Sequence, residues 1–326
     1  MKRFKNILYI NEPTVDQASA VARAVSLAEK NQADLTFIDV IPPQVVTAGI
    51  GLPPGGPISE NLRTAVESDH HQTLESMVQP FRERLQIRLN VLVGKTYLEA
   101  IRTVLKNGHD LLIKTAENPS WTHRLFGSDD LHLLRKCPCP VWLMKPSEKL
   151  NYGSILAAVD FDLMAPSPSE NDLNRKILEL AASLALSNSA SLHIAHAWDA
   201  LAEKTMLSRG GMSPEGLDNY VEREHELHRN ELYRLAEQLR GWISKEAYDY
   251  LSPGFHLPEG PAKKVIVPLA AELRADIVVM GTVARTGISG LIIGNTAEAI
   301  LDQLACSVLA IKPAGFKTPV ELELRN

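Results

Sequence analysis

One series of short apolar runs occurs twice along this chain, in the same order. Asn6-Ile7-Leu8-Tyr9-Ile10-Asn11-Glu12 returns as Ser154-Ile155-Leu156-Ala157-Ala158-Val159-Asp160, each ending in an acid, at an offset of 154 − 6 = 148. Ala33-Asp34-Leu35-Thr36-Phe37-Ile38 returns as Ala190-Ser191-Leu192-His193-Ile194-Ala195, at 190 − 33 = 157. Asp110-Leu111-Leu112-Ile113 returns as Asp276-Ile277-Val278-Val279, at 276 − 110 = 166. Cys139-Pro140-Val141-Trp142-Leu143-Met144-Lys145-Pro146 returns as Cys306-Ser307-Val308-Leu309-Ala310-Ile311-Lys312-Pro313, at 313 − 146 = 167. The offset only grows, and its steps fall where loops belong. A duplicated unit with loop insertions produces that pattern. The first insertion is Phe161 to Glu170, rich in Pro and Ser, and the boundary falls in Pro146 to Gly153 among linker-type residues. The expected domains are 1–148 and 149–326. A length of 326 residues agrees, at about 150 residues per domain.

Each unit alternates apolar runs with longer helical patterns. In the first, strands are expected at Ile7–Asn11, Leu35–Val40, Leu89–Val93, Leu111–Thr115 and Val141–Met144. Helices are expected over Ala18–Lys30, Ser59–Arg84 and Tyr97–Lys106, with another around Leu131–Arg135. The second unit repeats the order, with its long charged helix around Pro214 to Arg240. Strands alternating with helices at these lengths imply α/β domains: an open, mainly parallel five-stranded sheet with helices on both faces. Ligands of such sheets bind outside the carboxyl ends of the strands, near a topological switch point.

Composition closes off other classes. A 45% hydrophobic content supports packed cores, and a net charge of −5 argues against a dedicated nucleic-acid binder. Three cysteines make no disulfide framework. The apolar run after the basic start, Ile7 to Ile10, is too short for a signal peptide, and no stretch approaches a membrane helix of roughly 18 residues. A reducing cytoplasm is the expected location.

The most informative segment is Met280-Gly281-Thr282-Val283-Ala284-Arg285-Thr286-Gly287-Ile288-Ser289-Gly290-Leu291-Ile292-Ile293-Gly294-Asn295-Thr296-Ala297-Glu298. It follows an apolar run and precedes a helical one, so its backbone N–H groups can face phosphate. Asn295 or Thr296 is the expected helix cap. The spacing is neither that of the P-loop nor that of the dinucleotide fingerprint. By contrast, the Gly/Pro stretch Ala48 to Pro57 reads as an inserted loop, because its prolines remove backbone donors.

The segment resembles the signature of the universal stress protein family, G-x2-G-x9-G-(S/T), placed after the fourth strand. The resemblance spans nearly the whole chain as two tandem units. It extends to the acid ending strand one, to His256-Leu257-Pro258-Glu259-Gly260-Pro261 before a helix, and to a final strand ending in Lys-Pro. Leu125-Phe126-Gly127-Ser128-Asp129-Asp130 and Cys137-Pro138-Cys139-Pro140 are similar to tandem bacterial members of the family. The resemblance implies an adenine nucleotide alpha hydrolase-like, Rossmann-like fold in each unit. It implies ATP, alone or with Mg2+, in the second unit, and a cytoplasmic stress-response factor rather than a dedicated catalyst. The site residues it implies are Val159, Asp160, Gly281, Thr282, Ala284, Arg285, Gly294, Asn295 and Thr296. The acid would meet the adenine or ribose side, the glycine loop the phosphates, and the last pair phosphate and ribose.

Both units depart from the pattern. In the second, Ala284 stands in place of the second glycine and Asn295 in the Ser/Thr place, with Thr296 next. The Ala284 methyl disfavours positive φ, while Asn295 still hydrogen-bonds and Arg285 adds planar donors for phosphate. In the first, Glu12 stands for the strand-one acid, Thr115 and Asn118 for glycines, Pro119 removes an amide, and only Gly127-Ser128 survives. The first unit is therefore expected not to bind ATP in the family manner; it is structural or takes an unidentified small molecule.

Histidines and cysteines carry weaker signals. His225 and His228 lie three apart on the long helix and could bind zinc with Glu224 or Glu231, but a solvated charged face is the favoured reading. His70 and His71 are adjacent and point differently. His193 and His196 sit at odd spacing on a strand, on opposite faces, with His196 at its end near the pocket. Cys137 and Cys139 make a poor zinc site, and buried thiols are expected. No nucleophile, base and orienter set stands out. Three functions remain in competition: an ATP-binding stress factor with at most slow hydrolysis, a nucleotide-free scaffold or small-molecule carrier, and an ATP-consuming enzyme. The two units are expected to pair as an intramolecular pseudo-dimer through Val141–Met144 and Val308–Ile311, with room for a homo-oligomer and no nucleic-acid or membrane partner.

Overall fold

A computed structural model describes residues 4–47, 57–117, 129–146, 149–163, 168–200, 213–282 and 294–322. The strands in chain order are β1 (Asn6–Ile10), β2 (Asp34–Ile41), β3 (Ile87–Val93), β4 (Leu111–Thr115), β5 (Val141–Met144), β6 (Ser154–Ala158), β7 (Ser191–Ala195), β8 (Gly254–His256), β9 (Ile277–Gly281) and β10 (Ser307–Ile311). The helices are α1 (Ala18–Asn31), α2 (Pro43–Thr47), α3 (Pro57–Val78), α4 (Thr96–Asn107), α5 (Asp129–Lys136), α6 (Pro168–Asn188), α7 (Pro214–Ile243), α8 (Lys245–Leu251), α9 (Ala262–Glu272) and α10 (Asn295–Leu301). The chain divides into two compact units, the first built on 1–150 with 307–326 and the second on 151–284 with 294–306.

In the first unit the strand order is β3-β2-β1-β4-β5-β10. β1 through β5 are parallel, and β10 joins β5 antiparallel, with Val308 opposite Leu143 and Ala310 opposite Val141. The two closing strands of the repeat thus pair with each other, as the sequence leads one to expect. In the second unit the order is β9-β6-β7-β8, all parallel. This is the expected α/β architecture. Sheets buried on both faces need continuous apolar strands, and Ile7, Leu8, Tyr9 and Ile10 are buried without exception, as are Ile155, Leu156 and Ala157.

Both units begin their first strand with the same device. The Asp110 carboxylate accepts from Lys5 N at 2.7 Å and Asn6 N at 3.0 Å. The Asp276 carboxylate accepts from Gly153 N at 2.6 Å and Ser154 N at 3.2 Å. An acid just before β4 or β9 thereby sets the register of the neighbouring first strand, and the repeat preserves it at the 166-residue offset.

Some boundaries move. α3 stops at Val78 rather than Arg84, because Pro80 lacks a donor and Gln79–Phe81 tightens into a 3-10 turn. α7 runs past Arg240 to Ile243 and is capped by Ser213, whose hydroxyl accepts from Gly216 N at 3.1 Å. The short helices α2 and α8 have no counterpart in the sequence reading. Of the expected Gly/Pro loop, Ala48 to Gly56 lie outside the described residues, and Pro57 opens α3. Among the described residues no helix is long and apolar enough to cross a membrane.

Replacing Asp276 with Ala should leave two strand-start amides without their charged acceptor. A loss of roughly 1–2 kcal/mol is expected in urea unfolding monitored through the second unit. Asp110→Ala should do the same in the first.

Candidate functional site

In each unit the strand order reverses at the first strand: the next two strands extend the sheet to one side of it, and the fourth lies on its other side. In the second unit that strand is β6, flanked by β7 and β9, so the crevice opens at the carboxyl ends of β6 and β9. Val159 and Asp160 follow β6 there. Val159 is buried, and its N–H donates to Ala195 O at 2.9 Å. The Asp160 backbone is clamped by buried Asn174, whose Oδ1 accepts from Asp160 N at 3.2 Å and whose Nδ2 donates to Asp160 O at 2.7 Å. The Asp160 side chain is 64% exposed and therefore open to a ligand.

Gly281 ends β9 beside them, since Ala158 pairs with Met280 in the ladder. A Cβ on Gly281 would stand 2.8 Å from Leu173 Cδ2, so α6 packs against bare backbone here. Thr282 is fully buried, and its carbonyl accepts from Gly294 N at 3.0 Å. Thr282 and Gly294 are therefore held together. Ala284 and Arg285 lie outside the described residues. Gly294 is itself the cap of α10, with extended backbone at φ −63° and ψ 134°, and no side chain caps the helix. The expectation that Asn295 or Thr296 caps it is corrected: both sit inside the first turn, exposed. With only seven residues, α10 adds little dipole for an anion.

A ring cluster adjoins Asp160. The Phe161 and His196 rings stack with centroids 3.6 Å apart. His196 Nδ1 lies 3.4 Å from Val159 O and 3.9 Å from Asp160 Oδ1. Its Nε2 faces His228 Nδ1 at 3.0 Å, so one ring carries the proton and the other the lone pair. Trp198 packs against His225 at 5.3 Å and His228 at 5.9 Å between centroids. This corrects the reading of His225 and His228 as a solvated face. Their spacing of three residues aims both at the aromatic end of β7. The carboxylates beside His225 are Glu222 and Glu226, with ligand atoms of all three within 4.8 Å, whereas Glu231 pairs with Arg234. His193 takes a separate partner, His256, with Nδ1 and Nε2 at 3.1 Å.

The first unit uses the same positions differently. Asp39 and His70 stand where the second unit has His196 and His228, since 196 − 39 = 157 and 228 − 70 = 158. They too are joined, His70 Nδ1 to Asp39 Oδ2 at 2.7 Å, so the long helix is tied to the end of the second strand in both units. The switch point itself is filled. Lys114, whose side chain is 0% exposed, reaches Asp130 at 2.8 Å, Glu12 at 2.9 Å and Glu117 at 3.4 Å. Its counterparts in the second unit are apolar: Met280 for Lys114, at 280 − 114 = 166, and Ala297 for Asp130, at 297 − 130 = 167. Burial pushes the Lys114 ammonium toward losing its proton, but the three carboxylates more than offset this and raise its pKa. Burial also pushes Glu12 up; Lys114 and Thr14 outweigh it and hold the carboxyl below its usual range. Glu117 goes the other way, to about 7, through burial and the Asp130 charge. Of the first unit's expected replacements, Glu12 and Thr115 lie at the carboxyl ends of β1 and β4, and Asn118, Pro119, Gly127 and Ser128 are outside the described residues.

The sequence pattern of the Universal stress protein family matches residues 3–145 and again 151–312. The chain belongs to the universal stress protein family. Curated relatives cover it end to end. Universal stress protein E of Escherichia coli (strain K12) is 30% identical over 338 residues, covering 99% of this chain and 98% of the relative. Universal stress protein E of Photorhabdus laumondii is 28% identical over 327 residues, covering 98% and 99%. Among solved structures, a universal stress protein from Pseudomonas aeruginosa UCBPP-PA14 superposes with a TM-score of 0.66 at 27% identity, covering 96% of this chain and 94% of that one. One from Archaeoglobus fulgidus reaches 0.62 at 14% identity, covering 94% and 98%, which speaks for the fold alone. This universal stress protein is thus a tandem of two family domains.

Removing the cation from the first unit's cluster should be severe. Lys114→Met leaves three carboxylates facing one another, and a loss of roughly 3–5 kcal/mol is expected in denaturant unfolding. The histidine pair predicts a pH effect of defined sign. Burial lowers the pKa of both His193 and His256, so the unfolded chain binds more protons below its own His pKa of about 6.5. Stability contributed by the neutral pair is present above that pH and is lost as pH falls through it. Thermal melts should show that loss on acidification, and His256→Asn should flatten it.

Proposed function

We propose that the second unit binds ATP or a related adenine nucleotide, alone or with Mg2+, and that the chain acts as a cytoplasmic stress-response factor rather than a dedicated catalyst. The observation that carries the reading is the contrast between the two switch points. In the second unit the crevice is flanked by an exposed acid, bare backbone at Gly281 and the Thr282–Gly294 hydrogen bond. In the first, one ammonium is surrounded by three carboxylates, a charge balance that repels phosphate.

In this reading Asp160, beside Val159, holds the ribose or adenine side, with its backbone fixed by Asn174. Gly281, Thr282, Ala284 and Arg285 lie along the phosphates, and Gly294, Asn295 and Thr296 close the site. No residue is assigned as a base, so hydrolysis would be a slow by-product of positioning. The first unit is then a structural domain or a site for a different small molecule. Domains 1–148 and 149–326 carry these two roles.

Equilibrium titration of the full chain with ATP and magnesium tests this. Saturable binding is expected, weakened at least about tenfold by Asp160→Ala, which corresponds to roughly 1.4 kcal/mol. No saturation up to roughly millimolar ATP would reject it and favour the nucleotide-free scaffold or carrier, especially if mass spectrometry finds a co-purified non-nucleotide compound. Turnover well above the Asp160→Ala control would instead favour an ATP-consuming enzyme.

A further inference from the structure

The first unit holds a thiol pair that the nucleotide reading does not use. Cys137 ends the last turn of α5, its N–H donating to Leu133 O at 2.9 Å, and Cys139 leads into β5 two residues later. The chain bends between them at Pro138, and the two sulfurs face each other at 3.5 Å. Both are free thiols. Bond formation needs them to close by about 1.5 Å, to the S–S length near 2.05 Å. Cys139 is 8% exposed and Cys137 0%, so an oxidant reaches Cys139 first.

Lys312, at the end of β10, is buried against the same turn, its Nζ donating to Leu134 O. Burial lowers its pKa to about 7, with the neighbouring Cys137 acting in the opposite sense. An amine that gives and takes a proton near neutrality therefore stands beside the inner thiol. The Cys137 sulfur and burial hold the Cys139 thiol well above its ordinary pKa, so little of it is thiolate and its oxidation is slow.

We propose that Cys137 and Cys139 form a reversible intrachain disulfide, making the start of β5 an oxidation site for hydroperoxides. The Cys139 sulfur attacks the O–O bond as its thiol proton passes to the departing oxygen; the S–H and O–O bonds break, the S–O bond of a sulfenic acid forms, and an alcohol or water leaves. Cys137 sulfur then attacks the sulfenic sulfur. The S–S bond forms, the S–O bond breaks, and the Cys137 proton passes through Lys312 to the leaving hydroxide as water. Two electrons leave the thiols, and one peroxide is reduced. A dithiol such as reduced dithiothreitol reverses the change. The C-x-C ring is small and strained, which places its potential toward the oxidising, easily reduced end.

The test uses the intact chain. The protein is exposed to hydrogen peroxide, denatured, alkylated with N-ethylmaleimide and digested. The expected result is a peptide containing Cys137 and Cys139 that is two hydrogens lighter and unalkylated, restored by dithiothreitol, with Cys306 still alkylated. Cys139→Ser should abolish the product, and Lys312→Met should slow its formation by about tenfold without changing the Cys306 label. Full alkylation of all three thiols after peroxide would overturn the proposal. So would conversion only to sulfinic or sulfonic acid, or only to disulfides between chains. An unchanged rate in Lys312→Met would remove the lysine from the proton path.

Discussion

Everything in this fold hangs on β1 and β6 having parallel partners on both edges. A strand paired on both sides uses all its backbone donors and acceptors in ladders, so it must be buried and apolar. Asp110 and Asp276 fix where those ladders begin. The connections then depart to opposite sides, and a crevice opens at the carboxyl ends. The acid that follows each central strand, Glu12 or Asp160, is placed there by topology and not by local preference.

Once two equivalent crevices exist, electrostatics separates them. A fully buried ammonium is costly unless surrounded by partners, and Lys114 has three. Those partners consume the strand-one acid and introduce Asp130 on α5, so the first crevice is committed to its own internal charges. Met280 and Ala297 occupy the same places in the second unit without any such demand. There Asp160 keeps its carboxylate exposed, although its neighbour His196 is bound to the Phe161 and His228 rings.

Much of this was legible in the residues. The duplicated order of apolar runs located the long strands to within one or two residues, because a strand buried on both faces leaves an uninterrupted signal. Boundaries slipped where a single residue governed them, as Pro80 did for α3. The short α2 and α8 escaped because five and seven residues are too few to show a helical period. The inward aim of His225 and His228 was hidden by the charges around them, although their spacing was its trace. Lys114 left no trace at all, since one lysine at the end of an apolar strand reads as the point where the strand meets solvent.

By itself the sequence determined the duplication, the α/β class, the family and the places where each unit departs from the family's signature. These follow from order and spacing along the chain, which are visible without coordinates. Only the tertiary structure decided which charges meet. Glu12, Lys114 and Asp130 are separated by up to 118 residues (130 − 12), and His196 and His228 by 32. Their fates depend on distance and burial, because a charge or an imidazole changes its meaning with the groups a few ångströms away. The same physics leaves two thiols face to face at the edge of a helix whose sequence advertised only a proline between cysteines.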